Sequence, residues 1–223
     1  MDRNTYDNHA KAWAFIEEHE ADREGDLVRE ARAIAEANGL PVGSAAEGAL
    51  LNTFARLTGA SSIIVVGTGA LVETAQLATG LDGAGKLTAV DSSAQGAAMV
   101  RALFDDIADR TRTTLRVVNA DPSVYLPRLN GDDYNLIVVG GEAGNYAATY
   151  EQAPRLLKRG GVLVFTNALA MRGAQSKGGL TNPADRTPMA VTMRELLAEL
   201  EDDERFISAM TPTGDGLVIA THK

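Results

Sequence analysis

Hydrophobic positions along this chain follow two rhythms. Short unbroken β-branched runs such as Ile63-Ile64-Val65-Val66 alternate with longer stretches whose apolar residues recur every three or four positions. The unbroken run marks a strand buried on both faces of a parallel sheet, and the longer spacing marks a helix with one covered side. The pattern predicts helices over 4–20, 23–37 and 45–58, a strand at 63–66, a helix over 71–79 and a strand at 86–90. Next come a helix over 94–109, a strand at 115–118, a short helix at 124–129, a strand at 135–139, a helix over 147–158 and a strand at 162–165. A polar, glycine-rich loop over 168–187 stands where a substrate lid would be. A helix over 189–200 and strands at 205–210 and 216–222 follow. The turn Pro212-Thr213-Gly214-Asp215 is short enough to force an antiparallel hairpin. The fold class is α/β: a seven-stranded, mostly parallel sheet with helices on both faces. Residues 1–40 read as a helical extension and 41–223 as one compact unit.

The stretch from Ser61 to Ser93 organises the rest. Gly67-Thr68-Gly69 follows the first strand at once, where the chain must turn sharply into a helix and a ligand can approach the backbone. Asp91 closes the second strand, 24 positions after Gly67, close to the spacing of roughly 20 expected when an acid accepts hydrogen bonds from the two hydroxyls of a ribose. The plainer alternative makes the glycines a tight turn and Asp91 a helix cap. The later run Gly80 to Lys86 imitates a phosphate-binding loop. Its next residue is Leu87 rather than Ser or Thr, and its glycines precede a strand instead of opening a helix, so it is rejected.

Composition narrows the partners. The net charge is −9 with a pI of about 4.9, which argues against nucleic acid or an anionic membrane surface. With no cysteine there is no thiol nucleophile, disulfide or zinc–thiolate site. The polar start Met1-Asp2-Arg3-Asn4 leads into no apolar targeting segment, and no apolar run is long enough to span a bilayer, so a cytoplasmic protein is expected.

Several stretches resemble the small bacterial and catechol-type S-adenosylmethionine-dependent O-methyltransferases: Val65-Val-Gly-Thr-Gly, Leu87 to Asp91, Leu126-Pro-Arg-Leu129, Tyr134-Asn-Leu-Ile-Val, Leu156-Leu-Lys-Arg-Gly-Gly-Val and Gly214-Asp-Gly-Leu. The likeness runs from about Pro41 to the end and is closest to an actinobacterial branch. It implies a Rossmann-like class I methyltransferase fold with strand order 3-2-1-4-5-7-6. It also implies S-adenosylmethionine as cofactor, a small-molecule methyl acceptor and a homodimer. By this resemblance Gly67, Gly69 and Gly140 border the cofactor, and Asp91 holds its ribose with Ser92 beside the adenine. Ala120 and Asp121 cap the adenine amino group, and Val42 and Ser44 close over the methionine end, with Glu47 and Gly48 nearby.

Departures from the family pattern count as much. Val65 stands where an acid is usual, removing a contact to the methionine ammonium, and Leu71 replaces a third glycine. The two metal-binding aspartates align with Gly140 and Thr166, so only the asparagine survives, as Asn167. Magnesium prefers carboxylate oxygens, so no catalytic metal is expected. The usual lysine aligns with Ala143.

A sulfonium methyl is already activated, so transfer needs an in-line nucleophile and an acceptor for its proton. His9, His19 and His222 lie at the chain ends, which leaves Glu142 as the candidate acid at the rim and Asn167 as the residue to orient a substrate oxygen. Glu142 reads equally as a solvated loop carboxylate. Tyr146, Arg172 and Lys177 are further candidates to line the pocket. A non-catalytic, dimeric interaction protein is the alternative raised by the lost positions. A nicotinamide dehydrogenase is disfavoured by the C-terminal hairpin and the missing third glycine.

Overall fold

In the computed structural model, residues 3–173 and 175–223 are described, with side chains from Asp7 onward. Met1, Asp2 and Ala174 lie outside the described residues, so the polar start and the glycine-rich loop are followed only beyond them. Three helices, α1 (Arg3–Asp22), α2 (Asp26–Ala37) and α3 (Ala45–Leu57), precede β1 (Ser62–Gly67). Then come α4 (Leu71–Gly80), β2 (Lys86–Asp91), α5 (Ala94–Ile107), β3 (Thr114–Asn119), the short α6 (Pro122–Tyr125) and β4 (Tyr134–Val139). The chain continues through α7 (Ala143–Leu156), β5 (Leu157–Phe165), α8 (Pro188–Asp202), β6 (Phe206–Thr211) and β7 (Leu217–His222).

The seven strands form one sheet in the expected order, β3-β2-β1-β4-β5-β7-β6. Strands β1 to β5 pair in parallel, while β7 runs antiparallel between β5 and β6. The β1 run shows why. Alternate side chains leave opposite faces of a strand. Ile63 and Val65 join one core with α2, α3, α4 and α5, whereas Ile64 and Val66 join the other with α7 and α8. Each such burial contributes roughly 1.5–3 kcal/mol. Residues of α2 belong to the first core, where Val28, Ala31 and Ala35 are buried. Helix α1 is different: Trp13, Phe15 and Ile16 are all exposed.

The short helix expected over 124–129 spans only Pro122–Tyr125 as an α-helix, and the boundary between α7 and β5 also differs from the pattern reading. Helix α7 starts at Ala143, and β5 begins at Leu157, ahead of the Gly160-Gly161 pair expected to separate them. The glycines form an irregularity within the strand: Gly160 has φ +77°, and the register against β4 shifts between Tyr134 and Leu136. A side chain on Gly161 would meet the Lys158 carbonyl at 2.8 Å, so the bulge itself requires glycine.

Candidate active site

The carboxyl ends of β1, β2, β4 and β5 open onto one edge of the sheet, where ligands of such sheets bind. Gly67 ends β1 in register with Asp91 at the end of β2. The turn then places Gly69 at φ +75°, where a side chain would lie 2.9 Å from Leu40. Asp91 Oδ2 accepts from the Gly69 N–H at 2.8 Å, and Oδ1 accepts from the Ser93 N–H at 2.7 Å. The carboxyl group is buried against Gly96, whose absent Cβ would collide with Oδ2. Burial raises the Asp91 pKa, the two N–H groups pull it back, and the Glu142 charge adds to the rise. The Asn119 side-chain amide and the Ala120 N–H both donate to the Asp91 carbonyl, which draws the end of β3 alongside. Ser92 is exposed beside it. Asp121 is also exposed and caps α6, accepting from the N–H and hydroxyl of Ser123, which lower its pKa. Gly67, Gly69, Asp91, Ser92, Ala120 and Asp121 therefore share one rim.

At the ends of β4 and β5, a side chain on Gly140 would lie 2.8 Å from Thr166 Oγ1. The Thr166 hydroxyl donates to the Val139 carbonyl at 3.2 Å. Asn167, at φ +48° and buried, accepts the Arg172 N–H on Oδ1 at 3.0 Å. The corner has no carboxylate, and its hydroxyl and amide oxygens already serve the backbone, so these residues do not fit a divalent cation. No group of three or more His, Asp or Glu among the described residues is arranged around a common ion position. Glu142 is exposed at the start of α7, with no side-chain capping bond. Tyr146 is fully buried and donates to the Thr166 carbonyl at 2.8 Å. His9 and His19 are exposed on α1, and His222 Nδ1 lies 3.3 Å from the Lys158 carbonyl.

A third group lies between the loop before α3 and the first turn of α4. Ser44 caps α3 by accepting the Glu47 N–H at 3.0 Å, and Val42 is half-buried in the same loop. The spacing Ser44-Ala-Ala-Glu47 is that of a capping box. The Glu47 side chain turns instead to Arg172, with Oε2 3.3 Å from its guanidinium. Arg172 also lies 3.9 Å from Glu73 Oε1 and donates to Asp215 Oδ2 at 2.8 Å. Desolvation and the Glu73 charge push Glu47 up to about 8 against the pull of Arg172, and burial likewise raises Glu73. Arg32 donates to the Gly43 carbonyl at 2.7 Å while paired with Glu24, which fixes the loop from behind. Beyond Gly214, whose absent Cβ would stand 2.8 Å from Glu47 Oε2, lies a cleft of about 330 Å³ lined by Trp13, Ile16, Ala46 and Pro212.

The expected lid is fastened over much of its length. Buried Asp185 accepts from the Lys177, Gly179 and Thr187 N–H groups and from the Thr187 hydroxyl. Arg194 donates to the carbonyls of Gly179, Asn182 and Asp185. The sequence reading passed over Glu73, Asp185 and the ionic role of Asp215. An acid in a first helical turn or a tight turn has an ordinary local explanation.

Comparison with known proteins gives a consistent result. The profile of the family described as O-methyltransferase matches residues 17–223. A protein of Mycobacteroides abscessus assigned as an O-methyltransferase is 32% identical over 198 residues, covering 89% of each chain. A solved structure from Corynebacterium glutamicum is 25% identical, with a TM-score of 0.76 over 89% of this chain and 90% of that one. The O-methyltransferase from Bacillus cereus, solved in complex with SAH, shares the fold at 20% identity, with a TM-score of 0.77 over 96% and 99% of the two chains.

Proposed function

The chain belongs to the O-methyltransferase family, and from that premise we propose that it uses S-adenosylmethionine to methylate an oxygen of a small molecule without a catalytic metal. The observation that carries the cofactor reading is the Asp91 carboxylate, held at the end of β2 by the Gly69 and Ser93 N–H groups. Two bonds leave further lone pairs on a carboxylate that accepts up to about four, so the group suits ribose hydroxyls. Bound there, the cofactor supplies an electrophilic sulfonium methyl.

The chain's own contribution is binding and orientation. Gly67, Gly69 and Gly96 keep side chains away from the nucleoside rim, while Ser92, Ala120 and Asp121 border it. Val42, Ser44 and Gly140 border the other end. Acceptor entry is assigned to the cleft beside Trp13 and Gly214. Glu142 is exposed at the rim and is the candidate to take the acceptor's proton; Asn167 acts through the Arg172 backbone it holds. Metal independence is supported by the donor chemistry at Gly140, Thr166 and Asn167, where nothing offers a carboxylate.

Exposed Trp13, Phe15 and Ile16 on α1 support a homodimer, which sedimentation analysis checks against a 23.5 kDa monomer. No helix among the described residues is long and apolar enough to cross a membrane, and with the acidic charge this supports a cytoplasmic site of action. The function is tested by calorimetric titration with S-adenosylmethionine and S-adenosylhomocysteine on wild type and Asp91→Ala. Micromolar binding abolished by the substitution supports the reading, and wild type that binds neither ligand overturns it.

A further inference from the structure

Among the polar side chains at the sheet edge, Glu47 and Glu73 stand apart in being buried yet incompletely bonded. Both are at least nine-tenths buried, and Glu47 Oε1 and Glu73 Oε2 have no hydrogen-bond partner. A buried polar atom without a partner costs free energy, and a buried carboxylate costs more. The two groups also crowd one another. A Cβ built on Gly43 would lie 2.8 Å from Glu47 Oε1 and 2.9 Å from Glu73 Oε1, so these oxygens are less than about 6 Å apart, a range in which like charges repel strongly. Arg172 is the cation that faces them, and it is shared with Asp215, to which it makes its shortest contact. Arg32 is paired with Glu24 and points its remaining donor at the Gly43 carbonyl. Three carboxyl groups, those of Glu47, Glu73 and Asp215, face the one guanidinium of Arg172, and Glu47 keeps its proton until a cation arrives to replace it. The cluster therefore calls for one more compact cation that donates several hydrogen bonds.

We propose that the Glu47–Glu73 pair, under the bare backbone of Gly43, binds the α-ammonium group of the methyl donor. The inference rests on the function proposed above and names the residues that serve the donor's amino-acid end. Two placements support it. Glu73 lies in the first turn of α4, four residues after Gly69, so it continues the same turn that meets Asp91. Glu47 follows the 42–44 loop at the start of α3, so the loop and the glycine turn converge on one charge. An ammonium has three donors and no acceptor, which suits the two glutamates, and any side chain at 43 would press on their oxygens. The pair supplies from helices α3 and α4 the negative charge that the resemblance leads one to expect at Val65 within β1.

The test is calorimetric titration of wild type, Glu47→Gln and Glu73→Gln with S-adenosylhomocysteine and with 5′-methylthioadenosine, which has the nucleoside and lacks the amino acid. The site predicts at least tenfold weaker S-adenosylhomocysteine binding in both variants and unchanged 5′-methylthioadenosine binding. Melting of the ligand-free variants is a second readout: relief of carboxylate repulsion predicts a Tm equal to or above that of wild type, which separates lost recognition from lost folding. S-adenosylhomocysteine affinity within twofold of wild type in both variants overturns the site. Equal weakening of both ligands, or wild type that binds the two equally well, overturns it too. Wild type that binds neither ligand overturns the proposed function and this site together, whereas 5′-methylthioadenosine binding that vanishes in Asp91→Ala sustains the function whatever the glutamates do.

Discussion

Two carboxylate centres flank the glycine turn, and they are built on opposite principles. Asp91 is buried but answered: two backbone N–H groups meet its two oxygens within 2.8 Å. Glu47 and Glu73 are buried as deeply and only partly answered, by one guanidinium at 3.3 and 3.9 Å. The first centre shapes the turn and is part of the scaffold even without a ligand. The second stores unfavourable electrostatics that a ligand can relieve. A satisfied buried group contributes to stability, while an unsatisfied one is a cost retained where it is useful for binding.

The contrast is broken most forcefully at Asp91. Asp91→Ala removes the acceptor for Gly69 and Ser93 as well as the ribose contact, and each charge-assisted bond is worth roughly 1.5–3 kcal/mol. Titration should then show S-adenosylhomocysteine binding weakened by about 100-fold or more, which corresponds to about 2.7 kcal/mol, together with a lower Tm. Gly43→Ala comes next. Its methyl group would press on both glutamates at under 3 Å, and overpacking of this kind costs about 1–3 kcal/mol. Loss of S-adenosylhomocysteine affinity with 5′-methylthioadenosine binding retained would sharpen the distinction between the two centres.

A third expectation concerns pH. Glu47 is raised from 4.5 to about 8 by burial and by Glu73, so the folded state holds a proton that the unfolded state releases. Stability from this group is present below pH 4.5 and is lost as pH rises toward 8, the reverse of a salt-bridged carboxylate. Denaturant titrations of ligand-free protein should show stability falling by more than about 1 kcal/mol across that window, with Glu47→Gln flattening the slope. A stability that climbs across the window would contradict the assignment. The smallest expected effect on binding is at Glu142. It is exposed and makes no capping bond, so Glu142→Gln should leave S-adenosylhomocysteine affinity within about twofold, a change of roughly 0.4 kcal/mol. Its effect on turnover, once an acceptor is found, reports separately on proton transfer.

The same contrast explains what could be read from the chain. The β-branched runs of β1 and β4 have no local competitor, so strand identity, parallel pairing and the Gly67-to-Asp91 crossover follow from nearest neighbours in sequence. The final hairpin follows from its short turn. Gly160-Gly161 misled the reading because glycine usually ends an element, and only pairing with β4 converts it to a bulge. The glutamate centre draws on α3, α4, the loop after β5 and the turn before β7, brought together by no local pattern. Glu73 looks like an N-terminal acid that favours its helix dipole, Ser44 and Glu47 look like a capping box, and Asp215 looks like a turn former. Each has a sufficient local explanation, and that conceals their convergence.

The fastening of the loop after β5 has a consequence for its dynamics. Asp185 and Arg194 fasten the segment from Lys177 to Thr187 through side-chain hydrogen bonds to its backbone. That half of the loop should open only with α8, as part of one cooperative unit, and its amide protons should exchange on the slow timescale of β5.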